Sequence, residues 1–390
     1  MDKYLIATEL IKNKINELRK QVPHKYFNKD VPAEVEVNKF YLNGTIVDRA
    51  MIVLRANGCE HYKKTGGCSM CSHFNGTLIG DKINDTNYIN QWNSVLNSSC
   101  FGETHSFDLN DYPIVCIYNL GSLLNPNEIS FEALKYIFST LNKYKKIRKV
   151  IIESRGEYVT KEALSVIKEC YAGIVEVGIG VESTNITIRE LCHNKGCKDI
   201  GVIKAAVSIL HEFEYKALAY VNFKPCYLTE KESVEDAIQT SIDCFEMGFD
   251  AVSIEPTSLQ EYSLINHLHQ IGYYRVPWLW SLREIIHGIY DRENVEKLDI
   301  RIGGYFDEQV LSGSQGEGFA GRNEIFPHET SSNCNVCTSE FVEHIKRFNM
   351  TYDVKELDGI EECPHCYNIW KDCFKVEDSR EIPQRVIDIL

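Results

Sequence analysis

The chain has 390 residues, of which 44% are hydrophobic, enough for one large domain and a small appended module. Its formal net charge of −14 argues against binding nucleic acid by overall charge, because phosphate contacts need clustered lysine and arginine. Local basic segments remain at 143–149 (KYKKIRK) and 193–198 (HNKGCK). We interpret them as a solvated helix end and a solvated loop, with a phosphate-binding patch as the alternative.

The first 20 residues predict a charged amphipathic helix that lacks the apolar core of a signal peptide. No segment reaches the roughly 18 apolar residues of a membrane-spanning helix. We therefore expect a cytoplasmic protein without membrane contacts. Thiols stay reduced in that compartment, so clusters among the 15 cysteines indicate metal sites rather than disulfides.

Six short segments rich in valine and isoleucine predict strands, since each is too short for a buried helix. They span 51–55, 113–118, 149–153, 174–182, 217–223 and 250–255. Amphipathic segments predict helices over 88–96, 130–144, 161–170, 199–213, 231–247 and 278–290. This alternation predicts an α/β fold, a partial (βα)6 barrel with a parallel sheet and right-handed crossovers. Residues 302–304 are a candidate seventh strand.

The predicted elements divide the chain into three parts. We predict an N-terminal helical extension over 1–48, a βα barrel over 49–305 and a small cysteine-rich module over 306–390. Polar residues or cysteine follow each of the six strands, at the end where βα barrels place their active sites. They are Cys59, Asn119, Glu153, Glu182, Lys224 and Glu255.

Three cysteines after the first predicted strand, Cys59, Cys68 and Cys71, are spaced C-x8-C-x2-C. Three thiolates are too few to close a tetrahedral zinc site or to saturate a 4Fe–4S cluster, which normally take four. A cluster held by three cysteines leaves one iron free to bind the methionine part of S-adenosylmethionine (SAM). The alternative is a zinc site whose fourth ligand is His61 or His73.

Two C-x2-C pairs near the C-terminus offer four soft ligands, enough for a closed tetrahedral site. They are Cys334, Cys337, Cys363 and Cys366. Structural zinc is our interpretation, and a second iron–sulfur cluster is the alternative, because four thiolates suit both. Cys373 and His365 are spare ligands that could exchange with one of the four. A metal would supply folding energy to a segment with little core of its own.

Eight segments, in order over about residues 50–370, carry a resemblance to a known family. They are LRANGCEHYKKTGGCSMC, YNLGSLLNPNEIS, VIIESRGEYV, EVGIGVESTNITIRELCHNKG, FKPCYLTEKESVEDA, VSIEPTSLQ, YRVPWLWSLREII and CNVC…CPHC. The sequence resembles radical SAM proteins of the archaeosine-synthase type, which are related to the Elongator catalytic subunit. Two departures, Gly156 in ESRGE and Glu255 in IEPT, suggest a different substrate.

The resemblance implies roles for individual residues. Cys59, Cys68 and Cys71 would hold a 4Fe–4S cluster. Contacts to SAM would come from Phe74, Asn119, Gly121, Ser122, Glu153, Ser154, Arg155, Glu182, Ser183 and Lys224. Substrate contacts would come from Glu255, Thr257, Tyr274, Arg275 and Trp278. Each of these assignments has a structural alternative. Glu153 and Glu182 could form ion pairs with Arg155 or Arg189, and Lys224 could pair with Glu182. Trp278 could pack a helix against the barrel.

The resemblance also implies an activity. A radical SAM enzyme reduces SAM to methionine and a 5′-deoxyadenosyl radical, which abstracts hydrogen from the substrate. In this family, abstraction from a lysine-derived side chain leads to carbon–nitrogen cleavage and leaves an amidine on a 7-deazaguanine base in tRNA. The implied partners are modified tRNA and a small electron donor, flavodoxin or ferredoxin.

Two alternatives remain open. One is the same radical chemistry on a small amino-acid-like metabolite or a peptide, which the acidic charge favours. The other, from a different functional class, is a zinc-stabilised module that binds RNA or protein.

Overall fold

The structure is a computed structural model that describes residues 2–24, 26–78, 80–101, 106–292, 299–306, 309–312 and 330–390. Within these ranges, nine strands form one open sheet, a half-barrel, in the order β8-β7-β6-β5-β4-β3-β2-β1-β9. The strands are β1 (Glu34–Leu42), β2 (Thr45–Val53), β3 (Ile114–Tyr118), β4 (Lys149–Glu153), β5 (Ile174–Gly180), β6 (Lys216–Phe223), β7 (Ala251–Pro256), β8 (Asp299–Ile302) and β9 (Gln309–Ser312). Strands β2 to β8 are mutually parallel, whereas β1 is antiparallel to both of its neighbours.

Helices connect the parallel strands and continue into the C-terminal part. They are α1 (Lys3–Arg19), α2 (Glu60–Thr65), α3 (Asp85–Leu96), α4 (Phe131–Leu141), α5 (Lys161–Cys170), α6 (Ile200–Glu212), α7 (Glu230–Glu246), α8 (Leu264–Gln270), α9 (Leu279–Arg292), α10 (Thr338–Thr351), α11 (Lys355–Asp358), α12 (Tyr367–Phe374) and α13 (Ile382–Ile389). Ser130, Thr160 and Thr229 begin α4, α5 and α7, since each side chain accepts a hydrogen bond from the first turn. Among the described residues, none of these helices has the length and hydropathy needed to cross a bilayer.

The predicted partial barrel is confirmed, because the six predicted strands overlap β2 to β7. The overlap is smallest for the first, which shares only 51–53 with β2, and the candidate seventh strand shares only residue 302 with β8. The sheet also contains two strands that the sequence analysis missed. Strand β1 forms a hairpin with β2 through Asn43 and Gly44, which both have positive φ (49° and 85°). An Asn-Gly pair is a strong hairpin signal, so β1 was predictable. The division at residues 48 and 305 stays a prediction, although β1 and β9 join the barrel sheet from outside it.

Strand alternation determines which side chains face the interior of the half-barrel. On β4, Val150 and Ile152 pack into the main core beneath the helices, whereas Ile151 belongs to a small cluster on the opposite face. Successive side chains of a strand point to opposite faces. Glu153 therefore shares the inner face with Ile151, and both border the cavity described below.

A buried ion network supports this inner face. The Glu176 carboxylate on β5 accepts hydrogen bonds from Arg301 Nη1 at 2.8 Å and Lys149 Nζ at 2.7 Å. Burial alone would raise the pKa of Glu176, but the two cations hold it at about 2. The network therefore connects β8 and β4 to β5.

Glu176→Gln should lower the free energy of unfolding at pH 7 by about 3–5 kcal/mol, because it leaves buried cations without their carboxylate. The pKa of Glu176 is depressed from 4.5 to about 2, so the wild type should lose this contribution as pH falls through that window. Urea unfolding at pH 7 and pH 3 measures both effects. Glu169→Gln, at an exposed site on α5, is the matched control, and equal stability of the two variants at pH 7 would refute the assignment.

Candidate active site

A cavity of about 440 Å³ opens at the C-terminal ends of the parallel strands. Its wall includes ten of the residues that the sequence analysis placed at the site. They are Cys59, Cys68, Cys71, Gly121, Glu153, Ser154, Arg155, Glu182, Glu255 and Thr257. These residues lie far apart in sequence and meet because parallel strands end at one edge of the sheet.

The three cysteines come from the segment that follows β2. Cys59 immediately precedes α2, and Gly66 and Gly67 then reverse the chain with φ of 84° and 83°, a conformation that glycine adopts without strain. Cys68 and Cys71 follow in a turn closed by a hydrogen bond from Cys71 N–H to the Cys68 carbonyl. This path brings all three thiols to the same cavity wall.

The thiols differ in acidity. Burial raises the pKa of Cys59 to about 12 and that of Cys71 to about 11. Burial would also raise the pKa of Cys68, but a hydrogen bond to His61 and the positive charge of Lys195 lower it to about 7. Because the thiolate is the form that binds metal, Cys68 is the residue best prepared to bind first.

The spacing of these thiols favours a cluster over a single zinc ion. A Zn–S bond of about 2.3 Å places tetrahedral sulfurs about 3.8 Å apart. Within the described ranges, only the C-terminal cysteines form a group of three or more candidate ligands whose atoms all lie within 4.8 Å of one another. At least two of the Cys59, Cys68 and Cys71 sulfurs are therefore more than 4.8 Å apart, farther than the sulfurs around one zinc ion. Of the two suggested fourth zinc ligands, His61 places Nε2 2.8 Å from the Asn194 carbonyl oxygen, whereas His73 borders the cavity.

Acidic side chains dominate the part of the cavity formed by β4, β6 and β7. Tyr220 Oη donates to Glu153 at 2.9 Å, and Ser253 Oγ donates to Glu255 at 2.6 Å. Burial raises the pKa of Glu153, and burial together with neighbouring carboxylates raises that of Glu255 to about 7. This wall can therefore accept protons or hydrogen bonds from a cationic or amine-bearing ligand.

Glu255→Gln should be more stable than the wild type at pH 8, by about 3 kcal/mol, and equally stable at pH 4. The pKa of Glu255 rises from 4.5 to about 7 on folding, so the folded state binds a proton that the unfolded state has released. Wild-type stability therefore falls as pH rises through this window. Thermal unfolding at both pH values tests this, with Glu235→Gln at an exposed site on α7 as control. If Glu255→Gln and its control had the same stability relative to wild type at pH 8, burial would not raise the pKa of this carboxyl.

A second charged pair lies beside the cysteines. Lys195 Nζ donates to Glu182 Oε1 at 2.7 Å, and both side chains border the cavity. Gly180 makes room for the pair, because a Cβ there would lie 2.3 Å from Lys195 Nζ and 2.6 Å from Glu182 Oε1. The site thus offers an anionic and a cationic group at one position.

Backbone strain marks three of the strand ends. Leu120, Glu182 and Lys224 follow β3, β5 and β6 with φ of 58°, 62° and 61°. A non-glycine residue in this left-handed region costs about 1–2 kcal/mol. Such strain persists where surrounding structure enforces it, often at functional sites.

Five predicted SAM-binding residues do not border the cavity. The Phe74 ring, 4% exposed, stacks on Tyr62 with ring centroids 4.6 Å apart. Ser122 Oγ accepts a hydrogen bond from Arg155 N–H, and Ser183 Oγ donates to Asp236. Asn119 is buried, and its side-chain amide has no hydrogen-bond partner. Lys224 Nζ lies 2.6 Å from Glu230 Oε2. Their roles toward SAM stay predictions.

Three of the predicted substrate residues also lie away from the cavity wall. Tyr274 Oη donates to the Lys224 carbonyl, and the Arg275 guanidinium lies 3.5 Å over the Trp278 ring. Trp278 is 6% exposed, and its backbone N–H donates to Glu230 Oε1. These contacts match the packing interpretation of Trp278, and the substrate roles of the three residues stay predictions.

The partners expected for Glu182 and Lys224 in ion pairs were wrong. Glu182 pairs with Lys195 rather than with Arg155 or Arg189, and Lys224 pairs with Glu230 rather than with Glu182. The prediction of a solvated loop over 193–198 was wrong for Lys195, which is 8% exposed and faces the cavity. Its partner is 13 residues away in sequence, and no local pattern announces it.

Strand alternation could have revealed other cavity residues. On β6, Tyr220 and Asn222 alternate with Ala219 and Val221, and only the former two border the cavity. Polar residues at every second position of an otherwise apolar strand indicate an inner polar face. The sequence analysis considered strand ends alone and missed this signal.

The C-terminal C-x2-C pairs form a separate candidate metal centre. Its four cysteines are Cys334, Cys337, Cys363 and Cys366. Three neighbouring Sγ–Sγ pairs in this group lie 3.5 to 3.7 Å apart. Although burial opposes ionisation, hydrogen bonds from backbone N–H groups and neighbouring thiols lower the pKa of Cys334 to about 6. The spare candidates Cys373 and His365 are outside the group, which could hold one metal ion.

Comparison with known proteins places the chain among relatives of similar length. It is 31% identical over 344 residues to an uncharacterised protein of Methanocaldococcus jannaschii, covering 88% of this chain and 86% of the relative. It is 26% identical over 368 residues to archaeosine synthase subunit beta of Methanosarcina acetivorans, covering 93% and 95%. The corresponding subunit of Thermococcus kodakarensis is 27% identical over 328 residues, covering 82% and 90%. No family model matches the chain.

Similar solved structures are more distant. Queuine lyase from Clostridium spiroforme, bound to SAM and queuine, has a TM-score of 0.43 at 17% identity and covers 71% of this chain and 99% of that one. Elp3 of Methanocaldococcus infernus has a TM-score of 0.38 at 15% identity, covering 49% and 47%. The chain resembles its curated relatives over most of its length, and its half-barrel has a cysteine-lined cavity. It therefore belongs to the radical SAM protein family that includes archaeosine synthase subunit beta.

Proposed function

We propose that this radical SAM enzyme is a carbon–nitrogen lyase that acts on a modified 7-deazaguanine base in tRNA. The observation that carries the proposal is the meeting of Cys59, Cys68 and Cys71 with an acidic cavity at the strand ends. The relatives named archaeosine synthase subunit beta match most of both chains and support a reaction of the archaeosine type.

Cys59, Cys68 and Cys71 would hold a 4Fe–4S cluster, with SAM in the adjoining cavity, and together these groups supply a 5′-deoxyadenosyl radical. The residues present fit SAM, whose amino acid part carries both charges, because Glu182 and Lys195 offer both counter-charges. The buried amide of Asn119, two residues before Gly121, has no hydrogen-bond partner. Such groups are normally satisfied, and this supports its predicted role in binding the ligand.

The acidic wall supports an amine-bearing substrate. Glu153 and Glu255 would hold the amine by charge and hydrogen bonds, whereas Tyr220 orients Glu153. The barrel side chains would keep water from the reacting carbon. The same wall and the net charge of −14 favour one other candidate, a small amino-acid-like metabolite or peptide as the substrate.

For the C-terminal centre we propose zinc. Neighbouring sulfurs 3.5 to 3.7 Å apart match the about 3.8 Å expected for one tetrahedral zinc ion. A 4Fe–4S cluster binds each cysteine to a different iron and would separate the sulfurs further. Flavodoxin or ferredoxin stays the proposed electron donor.

The test is an anaerobic assay of iron-reconstituted protein with SAM and dithionite, following 5′-deoxyadenosine by chromatography. We expect 5′-deoxyadenosine and blue-region absorbance from the cluster. Protein that binds only zinc and forms no 5′-deoxyadenosine would instead be a binding module.

The substrate is tested in the same assay with tRNA carrying the lysine-derived side chain on its 7-deazaguanine base. We expect nucleoside analysis to show the amidine product, and tRNA affinity to fall steeply with salt because phosphate contacts release counterions. Turnover of a free amino-acid-like compound, with tRNA affinity absent or insensitive to salt, would favour the small-substrate alternative.

A further inference from the structure

Arg19, the last residue of α1, contacts the backbone of the cysteine segment. Its Nη2 donates to the carbonyl oxygens of Cys68 at 3.0 Å and Cys71 at 3.2 Å, and its Nε donates to the Gly66 carbonyl at 2.8 Å. Nη1 donates to the Tyr262 carbonyl. One guanidinium group therefore binds the backbone of two of the three predicted cluster ligands.

Aromatic rings cover this guanidinium group. Its central carbon lies 4.4 Å from the Phe74 ring centroid and 5.9 Å from that of Tyr62. The two rings are stacked on each other, and Phe74 is buried. Water is thereby limited around a group that stays positively charged in proteins. A charge with little water beside it acts more strongly on its surroundings than an exposed charge.

The packing of α1 fixes the position of Arg19. The apolar face of α1 buries Ala7, Ile11 and Ile15 in a cluster that includes Leu191 and Val386. Met70 of the cysteine segment packs against the same cluster, and Ile15 lies close to Gly66, so α1 and this segment are packed together. The cation is therefore held in place before any ligand binds, which is the condition for electrostatic preorganisation.

We propose that Arg19 is a positioning residue that raises the reduction potential of the cluster. The inference rests on the proposed function, in which Cys59, Cys68 and Cys71 hold that cluster. Reduction transfers one electron from a low-potential one-electron donor to the cluster, with no bond broken and no proton moved. The cluster becomes more negative by one charge, and a fixed cation beside its ligands favours that state.

The test is a spectroscopic redox titration of the reconstituted protein, with no substrate and no turnover. Arg19→Gln should shift the reduction equilibrium about tenfold toward the oxidised cluster, a fall of about 59 mV for a one-electron couple. Arg19→Lys keeps the charge and should recover most of the shift. The control is Arg148→Gln, an equal charge change at an exposed position just before β4, at the opposite end of the strand from the cavity.

Two results would overturn the inference. One is an Arg19→Gln protein that holds its full cluster at the same potential as the Arg148 control. The other is an Arg19→Lys protein shifted as far as Arg19→Gln, because the positive charge could not then be the cause. If Arg19→Gln fails to assemble a cluster, Phe74→Leu decides: it exposes the guanidinium to water and should lower the potential, and an unchanged potential overturns the inference. Wild-type protein that assembles no cluster would overturn the proposed function itself, a different result from any of these.

Discussion

Cys68→Ala should reduce 5′-deoxyadenosine formation from SAM by more than about 100-fold, because even residues that only support a metal ligand contribute about 10–100-fold. Among Cys59, Cys68 and Cys71, Cys68 is the one whose pKa is lowered, to about 7, against the effect of its own burial. Its loss removes the ligand best prepared to bind iron. Iron and sulfide content, absorbance and 5′-deoxyadenosine formation measure the effect together.

The matched control for this variant is Cys170→Ala, on α5. The Cys170 thiol contacts only carbonyl oxygens of its own helix among the hydrogen bonds of the described residues. The control should keep the wild-type cluster and activity. Activity in Cys68→Ala close to that of the control would exclude Cys68 as a ligand and, with it, the C-x8-C-x2-C cluster site.

Removing the proposed C-terminal zinc, by chelation or by Cys337→Ser, should unfold the segment that contains α10 to α12. Structural zinc contributes about 10–16 kcal/mol of apparent binding free energy in small domains, more than such a segment can gain from its own core. Cys337 is nine-tenths buried, and its sulfur lies 3.7 Å from that of Cys334 and 3.5 Å from that of Cys366. Hydrogen exchange and metal analysis report the loss.

The effect should extend into the barrel through Trp280 on α9. Its ring packs edge-on against Phe341 and Tyr367 with centroids 5.0 Å apart, and its indole N–H donates to Cys366 Sγ. We therefore expect faster exchange in α9 as well. Cys373→Ser, a cysteine of α12 outside the group of four, is the control and should retain the metal. A metal-free protein with native protection in α10 would show that the centre is dispensable for folding.

Several features of this protein follow from its sequence alone because they depend on neighbouring residues. Apolar runs of five to nine residues predict β2 to β7, since strand formation and burial leave a local period. The four C-terminal thiols were also predictable as a metal centre, because each C-x2-C pair is a local turn. The three cysteines predicted to hold a cluster, and the order of the eight family segments, can likewise be read directly from the sequence.

Other features were decided only by tertiary structure. Arg19 reaches the carbonyl of Cys71, 52 residues away, and Lys195 borders the cavity, where it pairs with Glu182. Tyr274 and Trp278 follow β7 in sequence, but they do not border the cavity. Tyr274 Oη donates to the Lys224 carbonyl, and the Trp278 backbone N–H donates to Glu230. The physical reason is the same in each case. Ion pairs and packing contacts depend on which surfaces meet when the helices pack on the sheet. The local periodicity and residue spacing of the sequence do not specify which surfaces those are.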